Sequence, residues 1–129
     1  MRRTGAPLAG PVALALLTGC AAASQDDVRA AAVAFEDPGG DPRERCDLLA
    51  PATRAALERD EQAACTEVIG ELPLAGGPVT SVEVWGGDGQ VRLGDDVVFL
   101  TETDEGWRVA AAACEPRGEL PHDCEVEGP

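Results

Sequence analysis

The chain has 129 residues, enough for one domain, and its 24 acidic residues outnumber its 10 basic residues to give a formal net charge of −14. An acid-rich surface argues against nucleic-acid binding, because phosphates require basic neutralisation. It also disfavours electrostatic docking on anionic lipids, which leaves a covalent lipid as the expected membrane contact.

The first 20 residues have the organisation of an export signal. Arg2 and Arg3 precede an apolar run at 8–17, which is shorter than the roughly 20 residues a membrane-spanning helix needs. Small residues then lead into Cys20 in the sequence LTGC. This arrangement resembles a bacterial lipoprotein signal peptide, in which that cysteine becomes the acylated first residue. The alternative is an ordinary secretory signal with a coincidental cysteine.

The resemblance implies that residues 1–19 are removed, that Cys20 carries lipid and that 20–25 form a short tether. The predicted location is the outer face of the cell membrane, with several acyl chains providing a firm anchor. The mature chain would keep eight arginines and all 24 acidic residues, a net charge of −16. Its surface would be soluble and self-repelling.

The other four cysteines form an even set, typical of two disulfides in an exported chain. Of the three connectivities, we favour Cys46–Cys65 and Cys114–Cys124, because each pair lies within one local segment. A zinc site is the competing interpretation. The cysteine spacings do not fit paired CxxC knuckles, and His122 is the only imidazole, so no metal or other cofactor is predicted.

The first half of the mature chain is predicted to be helical. A first helix starts at Asp26 and Asp27 and carries an apolar stripe that ends at Phe35. A second helix has Asp41 as its N-cap, and Pro51 separates it from a short third helix. A fourth helix is predicted over 61–72, so a Cys46–Cys65 disulfide would join the second helix to the fourth.

The second half alternates between apolar and polar residues, which predicts an antiparallel meander. Glycine- and aspartate-rich turns separate four strands, at 79–85, 90–93, 97–103 and 107–113. The tail, 114–129, is rich in proline and acidic residues and is predicted to be irregular, closed by its disulfide.

Strand alternation predicts one apolar sheet face for the helices to cover and an outer, polar face. The apolar face collects Val82, Val84, Val91, Leu93, Val97, Phe99, Trp107 and Val109. The polar face collects Glu83, Trp85, Gln90, Arg92, Glu102 and Arg108, with Val98 and Leu100 between them. This assignment leaves no inward acid, base or nucleophile to build a catalytic pocket.

Short helices feeding a bent meander, with the sequence DEGWRVA entering the last strand, resemble the NTF2-like (SnoaL-like, cystatin-related) α+β cone. The chain also resembles small actinobacterial lipoproteins of unassigned function. The resemblance covers 26–126 and implies a single α+β domain whose helices pack on the sheet. Catalytic members commonly use a pocket Asp, His or Tyr. This chain has no Tyr and its His122 lies in the tail, so no catalytic residue is carried over.

Three aromatic residues, Trp85, Phe99 and Trp107, are candidates for lining a ligand pocket, although packing roles are the favoured interpretation. His122 beside Asp123 suggests an acid–base pair, but no nucleophile accompanies it. The loop acids Asp88, Asp95 and Asp96 lack the regular spacing of a calcium loop, and we assign them to turns and solubility.

The predicted function is therefore a non-enzymatic, lipid-anchored extracytoplasmic domain that acts through protein or ligand contacts at the cell envelope. The alternative is a small carrier of an apolar ligand or lipid, and a less favoured third is an NTF2-like enzyme. A pocket above about 300 Å³ is needed for either alternative. Convergent acids beside an arginine would favour the enzyme. The oligomeric state is left open.

Overall fold

The computed structural model describes residues 3–10 and 19–129, with burial described for 3–10 and from residue 23 onward. Most of the predicted apolar run, together with Leu17 and Thr18 of the LTGC sequence, lies outside the described residues, and so does the side chain of Cys20. Within the described part of the chain, no helix is long and apolar enough to cross a membrane.

The first helix, α1 (Gly19–Phe35), begins earlier than Asp26, so the segment predicted as a tether is helical. Residues 20–25 contain three alanines and neither glycine nor proline, which makes them compatible with a helix. The predicted apolar stripe is confirmed, because Val28, Ala32 and Phe35 are fully buried.

Three further helices follow, α2 (Pro42–Asp47), α3 (Pro51–Glu61) and α4 (Cys65–Val68), with a 3₁₀ turn at Ile69–Glu71. Asp41 caps α2 as predicted, accepting hydrogen bonds from the backbone N–H groups of Arg43 and Glu44. A continuous helix over 61–72 is wrong. The third helix ends at Glu61, and the residue that follows it, Gln62, has a left-handed φ of 53° that stops helix propagation. A Cys46–Cys65 disulfide joins α2 to α4.

The sheet has five antiparallel strands rather than four, in the order β1-β2-β3-β4-β5. Their bounds are β1 (Val79–Trp85), β2 (Asp88–Leu93), β3 (Asp96–Thr103), β4 (Gly106–Arg117) and β5 (Leu120–Glu127). An α+β fold with a meander is confirmed, whereas the irregular tail is wrong. Pro121 is tolerated because β5 is an edge strand. Cys114 lies opposite Cys124 in the β4–β5 pair and is bonded to it, the connectivity that the sequence favours.

The predicted sheet faces are wrong for β3. The β2–β3 turn has two residues, which pairs Leu93 with Asp96 and Val91 with Val98. Cross-strand partners lie on the same face of the sheet. The sequence-based assignment took Asp96 as a third residue of the turn, and this one-residue difference assigns every side chain of β3 to the opposite face. Val98 and Leu100 therefore join the core under the helices, whereas Val97 forms a second cluster with Ala111 and Cys114, against which Phe99 and Cys124 pack.

The segment between the helices and the sheet packs tightly on the β2–β3 turn. Gly94 has a φ of +53°, and a Cβ built on it would collide with the carbonyl oxygen of Gly76.

We expect Gly94→Ala to lower the free energy of unfolding by about 2–4 kcal/mol, because left-handed backbone strain adds to overpacking. Gly86→Ala is the matched control, since Gly86 has a φ of +60° but open space around it. Its expected loss is about 1–2 kcal/mol. Equal losses in chemical denaturation would contradict the collision.

Candidate functional site: an acidic pocket around Glu36 and Asp96

The three aromatic residues predicted as ligand-lining candidates are not brought together. Trp85 ends β1 and is 51% exposed. Trp107 is buried and contributes to a shallow depression beside α1. Phe99 lines a separate open groove, so the sequence grouped side chains that belong to three different environments.

The groove containing Phe99 has a volume of about 610 Å³ and lies between the start of α3 and the strands β3 to β5. His122 packs edge-on against Phe99, with ring centroids 5.3 Å apart. His122 lines this groove, whereas Asp123 lines a different pocket, which leaves no support for an acid–base pair between them.

That second pocket, about 370 Å³ in volume, is distinguished by its charge. It lies where the end of α1, the segment before β1, the β2–β3 turn and strands β4 and β5 meet. None of its lining residues is basic, and six are acidic: Glu36, Asp95, Asp96, Glu115, Asp123 and Glu125. We call it the acidic pocket.

Asp96 organises one wall of the acidic pocket. Its Oδ1 accepts hydrogen bonds from the N–H groups of Val97 and Cys114, at 2.7 and 2.8 Å, and its Oδ2 accepts one from Ala113 at 2.8 Å. Ala113 has a φ of 55°, a left-handed conformation rarely adopted by alanine. The carboxylate thus holds β4 in an irregular conformation that turns successive N–H groups towards it.

Glu36 is the fully buried member of the lining and directly follows α1. Its Oε2 accepts a hydrogen bond from the Gly76 N–H at 3.2 Å, whereas no donor of the described residues reaches its Oε1. Burial, followed by hydrogen bonding and charge repulsion with Asp96, raises the pKa of Glu36 to about 9. Glu36 therefore holds a proton at neutral pH, and this proton is directed towards the Asp96 carboxylate.

Arg45 lies beside this pair without lining the pocket. Its Nε donates a hydrogen bond of 2.8 Å to the carbonyl oxygen of Phe35, at the end of α1. Burial lowers the pKa of Arg45, and the charge interactions with Asp37 and then with Glu36 oppose that effect. The guanidinium compensates part of the negative charge behind the pocket.

The prediction of no inward acid is wrong, and one sequence signal could have located Glu36. Val28, Ala32 and Glu36 follow one another at steps of four residues, so Glu36 continues the buried stripe of α1. Asp96 is identified only when the β2–β3 turn is counted as two residues. Arg45 is adjacent but does not line the acidic pocket, so the convergent acids there lack the arginine inside the cavity that would favour an enzyme.

Glu36 and Asp96 thus form a hydrogen-bonded pair of carboxyl groups in the wall of the acidic pocket. Among the described residues, no group of three or more His, Cys, Asp or Glu is arranged to hold a metal ion. No family model, curated protein or solved structure matches the chain.

Proposed function

We propose that this protein is a lipid-anchored, non-enzymatic domain on the extracytoplasmic face of the cell membrane, and that it binds its ligand in the acidic pocket. Mature protein would begin at Cys20 and reach the membrane through the lipid on that residue. The export-type leader supports this placement. Two disulfides within a domain of this size are typical of exported proteins.

One observation carries the choice of binding site. The acidic pocket has a volume of about 370 Å³, large enough for a small molecule, and its lining brings six acidic side chains together without a basic one.

An enzyme is a second candidate, because a carboxyl with a raised pKa next to a second carboxyl is a frequent arrangement in acid–base catalysis. Binding is favoured over catalysis by the hydrogen bonds already in place. Asp96 uses both oxygens for backbone N–H groups, and Glu36 uses one for Gly76. Both acids therefore have a structural role, because their hydrogen bonds hold the backbone that forms the pocket wall.

A carrier of an apolar ligand remains the alternative supported by the Phe99 groove. Its volume of about 610 Å³ is within the range of small-molecule sites, and alanines and prolines form part of its lining. An NTF2-like relationship is also part of the proposal, supported by helices packed on one face of an antiparallel meander. A fold of this kind licenses no activity by itself.

Native mass spectrometry of detergent-extracted protein tests the proposed function. We expect a mass that starts at Cys20 and includes its acyl chains, two intact disulfides and a co-purified ligand. Cys20→Ala should abolish the lipid mass and release the domain from the membrane fraction. An intact, unacylated leader on the wild-type protein would contradict the anchor. A ligand retained equally by wild type and by the Asp123→Asn/Glu125→Gln variant would contradict the choice of pocket.

A further inference from the structure

We infer that the indole ring of Trp85 is a second membrane contact, at the headgroup level of the bilayer that holds the lipid on Cys20, and that it fixes the orientation of the domain. The partner is a lipid surface, which an amphipathic aromatic ring contacts without using charge. The inference rests on the lipid anchor of the proposed function and is independent of what the acidic pocket binds.

The direction of α1 along the sheet decides which end of the domain lies next to the anchor. Directly after α1, Glu36 accepts a hydrogen bond from Gly76, which precedes β1. Near the middle of α1, Val28 packs against Gly89 of β2, which pairs with Val84 close to the end of β1. Helix and strand therefore run antiparallel, and the first turns of α1 extend past the β1–β2 turn. We call this end of the domain the anchor end.

The helix sets the distance between the anchor and the domain. Its backbone is helical from Gly19 onward, and residues 20–27 contain neither glycine nor proline. The step from Cys20 to Val28 therefore spans about 12 Å along the helix axis. Trp85 lies one strand residue closer to the anchor than the contact made by Val28, which leaves it about 9 Å from the level of the Cys20 backbone. The headgroup layer is about 5–8 Å deep, so a tilt of α1 towards the sheet brings the indole ring into it.

Trp85 is the large apolar side chain that the anchor end exposes. It is 51% exposed, and strand alternation places it on the outer face of β1, whereas Val84 packs against the core. From residue 23 onward, the other exposed large apolar side chains are Val33 on α1 and Leu120. Leu120 begins β5 at the opposite end of the sheet. Tryptophan is enriched at membrane–water interfaces, because its ring is apolar and its N–H can reach a polar headgroup.

The charge of the anchor end favours an aromatic contact over an electrostatic one. The β3–β4 turn lies at this end too, because Asp27 of α1 and Gly106 line the same depression. This turn exposes Asp104 and Glu105, and Asp88 is exposed at the start of β2. Anionic headgroups repel these side chains. An uncharged ring is therefore the group through which the anchor end can contact a bilayer.

The acidic pocket lies at the opposite end of the domain. Its lining includes Gly76 before β1 and the β2–β3 turn, and these segments lie beside the end of α1 rather than its start. With Trp85 and the lipid both in the bilayer, the pocket faces the aqueous side. Its carboxylates are thereby kept away from the charge of the headgroups, and a ligand can reach them from the solvent.

Fluorescence quenching of the lipidated protein in phosphatidylcholine vesicles tests the inference. We expect phosphatidylcholine with brominated acyl chains to quench the emission of the wild type, and acrylamide in the water to quench it weakly. Trp85→Phe keeps an apolar ring and leaves Trp107 as the emitting tryptophan. This variant should lose the quenching by brominated lipid, because Trp107 is buried. Absence of this quenching in the wild type, or equal quenching in both proteins, would overturn the contact.

Trp85→Phe/Leu120→Trp is the matched control, because it moves the tryptophan to an exposed position at the opposite end of the sheet. We expect acrylamide to quench its emission and brominated lipid to leave it unchanged. Equal quenching by brominated lipid at positions 85 and 120 would mean that the domain has no fixed orientation, which overturns the inference. A Trp85 ring shielded from both quenchers would indicate a protein contact in place of lipid and would overturn it as well.

Mass spectrometry and vesicle flotation of the same preparation distinguish failure of this inference from failure of the proposed function. If Cys20 carries acyl chains and the protein floats with the vesicles, but brominated lipid does not quench Trp85, the anchor is right and the orientation is wrong. If Cys20 is not acylated and the protein does not float, the proposed anchor is wrong and the inference is wrong with it.

Discussion

Glu36→Gln should make the protein more stable than the wild type at pH 8 and about equally stable at pH 5. The glutamine side chain has the shape of a protonated glutamate, can accept the Gly76 N–H and can donate towards Asp96. Unlike the carboxyl group of Glu36, the amide has no proton that is lost as the pH rises. Glu36 itself has a pKa of about 9 in the folded protein against 4.5 in its ordinary state.

The sign follows from proton binding in the two states. Below pH 4.5 both the folded and the unfolded chain hold the Glu36 proton, so Glu36 contributes no pH dependence to the free energy of unfolding. Between 4.5 and about 9 only the folded chain holds it, and rising pH therefore favours unfolding. Above about 9 both states are ionised and the dependence ends. The stabilising effect of the substitution is expected to reach about 2–4 kcal/mol at pH 8.

Chemical denaturation of wild type and variant at several pH values measures this difference. Glu61→Gln makes the same chemical change at an exposed position, and its stability curve should run parallel to that of the wild type. Parallel curves for Glu36→Gln and the wild type would mean that Glu36 titrates as an ordinary surface carboxyl. The predicted burial of its proton would then be wrong.

Asp96→Ala is expected to lower the free energy of unfolding by about 3–5 kcal/mol, because each buried N–H left without an acceptor costs about 1–3 kcal/mol. Three N–H groups lose their acceptor, at Val97, Ala113 and Cys114. Ala113 also loses the interaction that supports its left-handed backbone. Loss of the neighbouring charge lowers the pKa of Glu36, which recovers only part of this cost at neutral pH.

Asp95→Ala provides the control for this measurement. Asp95 is the preceding residue, is exposed and makes none of these backbone contacts. Its replacement should change stability by no more than about 0.5 kcal/mol. Denaturation with both disulfides intact compares the two variants directly. Equal effects at Asp95 and Asp96 would show that the turn, rather than the three hydrogen bonds, determines stability.

Glu36 and Asp96 connect the stability of the domain to its proposed site. Glu36 joins α1 to Gly76, and Asp96 joins β3 to β4, so the acidic pocket is formed by contacts that also hold the fold.

Local signals in the sequence were sufficient for much of this fold. Asp41 before Pro42 predicts the start of α2 because a side-chain oxygen can satisfy the first helical N–H groups. The bounds of β1 follow from alternation between apolar and polar residues, and short separation favours the two disulfide pairs. Each of these features depends on residues close together in the chain.

The tertiary structure decided the features that depend on distant residues. The length of the preceding turn set the orientation of Val98. Pairing with β4 made residues 120–127 a strand, in spite of the proline and the acidic residues of the tail. Glu36 and Asp96 became a site only when α1 packed on the sheet, because burial and mutual repulsion require that contact. Sequence alone determined the helical first half, the first four strands and where an export signal is expected, because these depend on local patterns. Packing determined which carboxyls lie inside, because desolvation is a property of the assembled core.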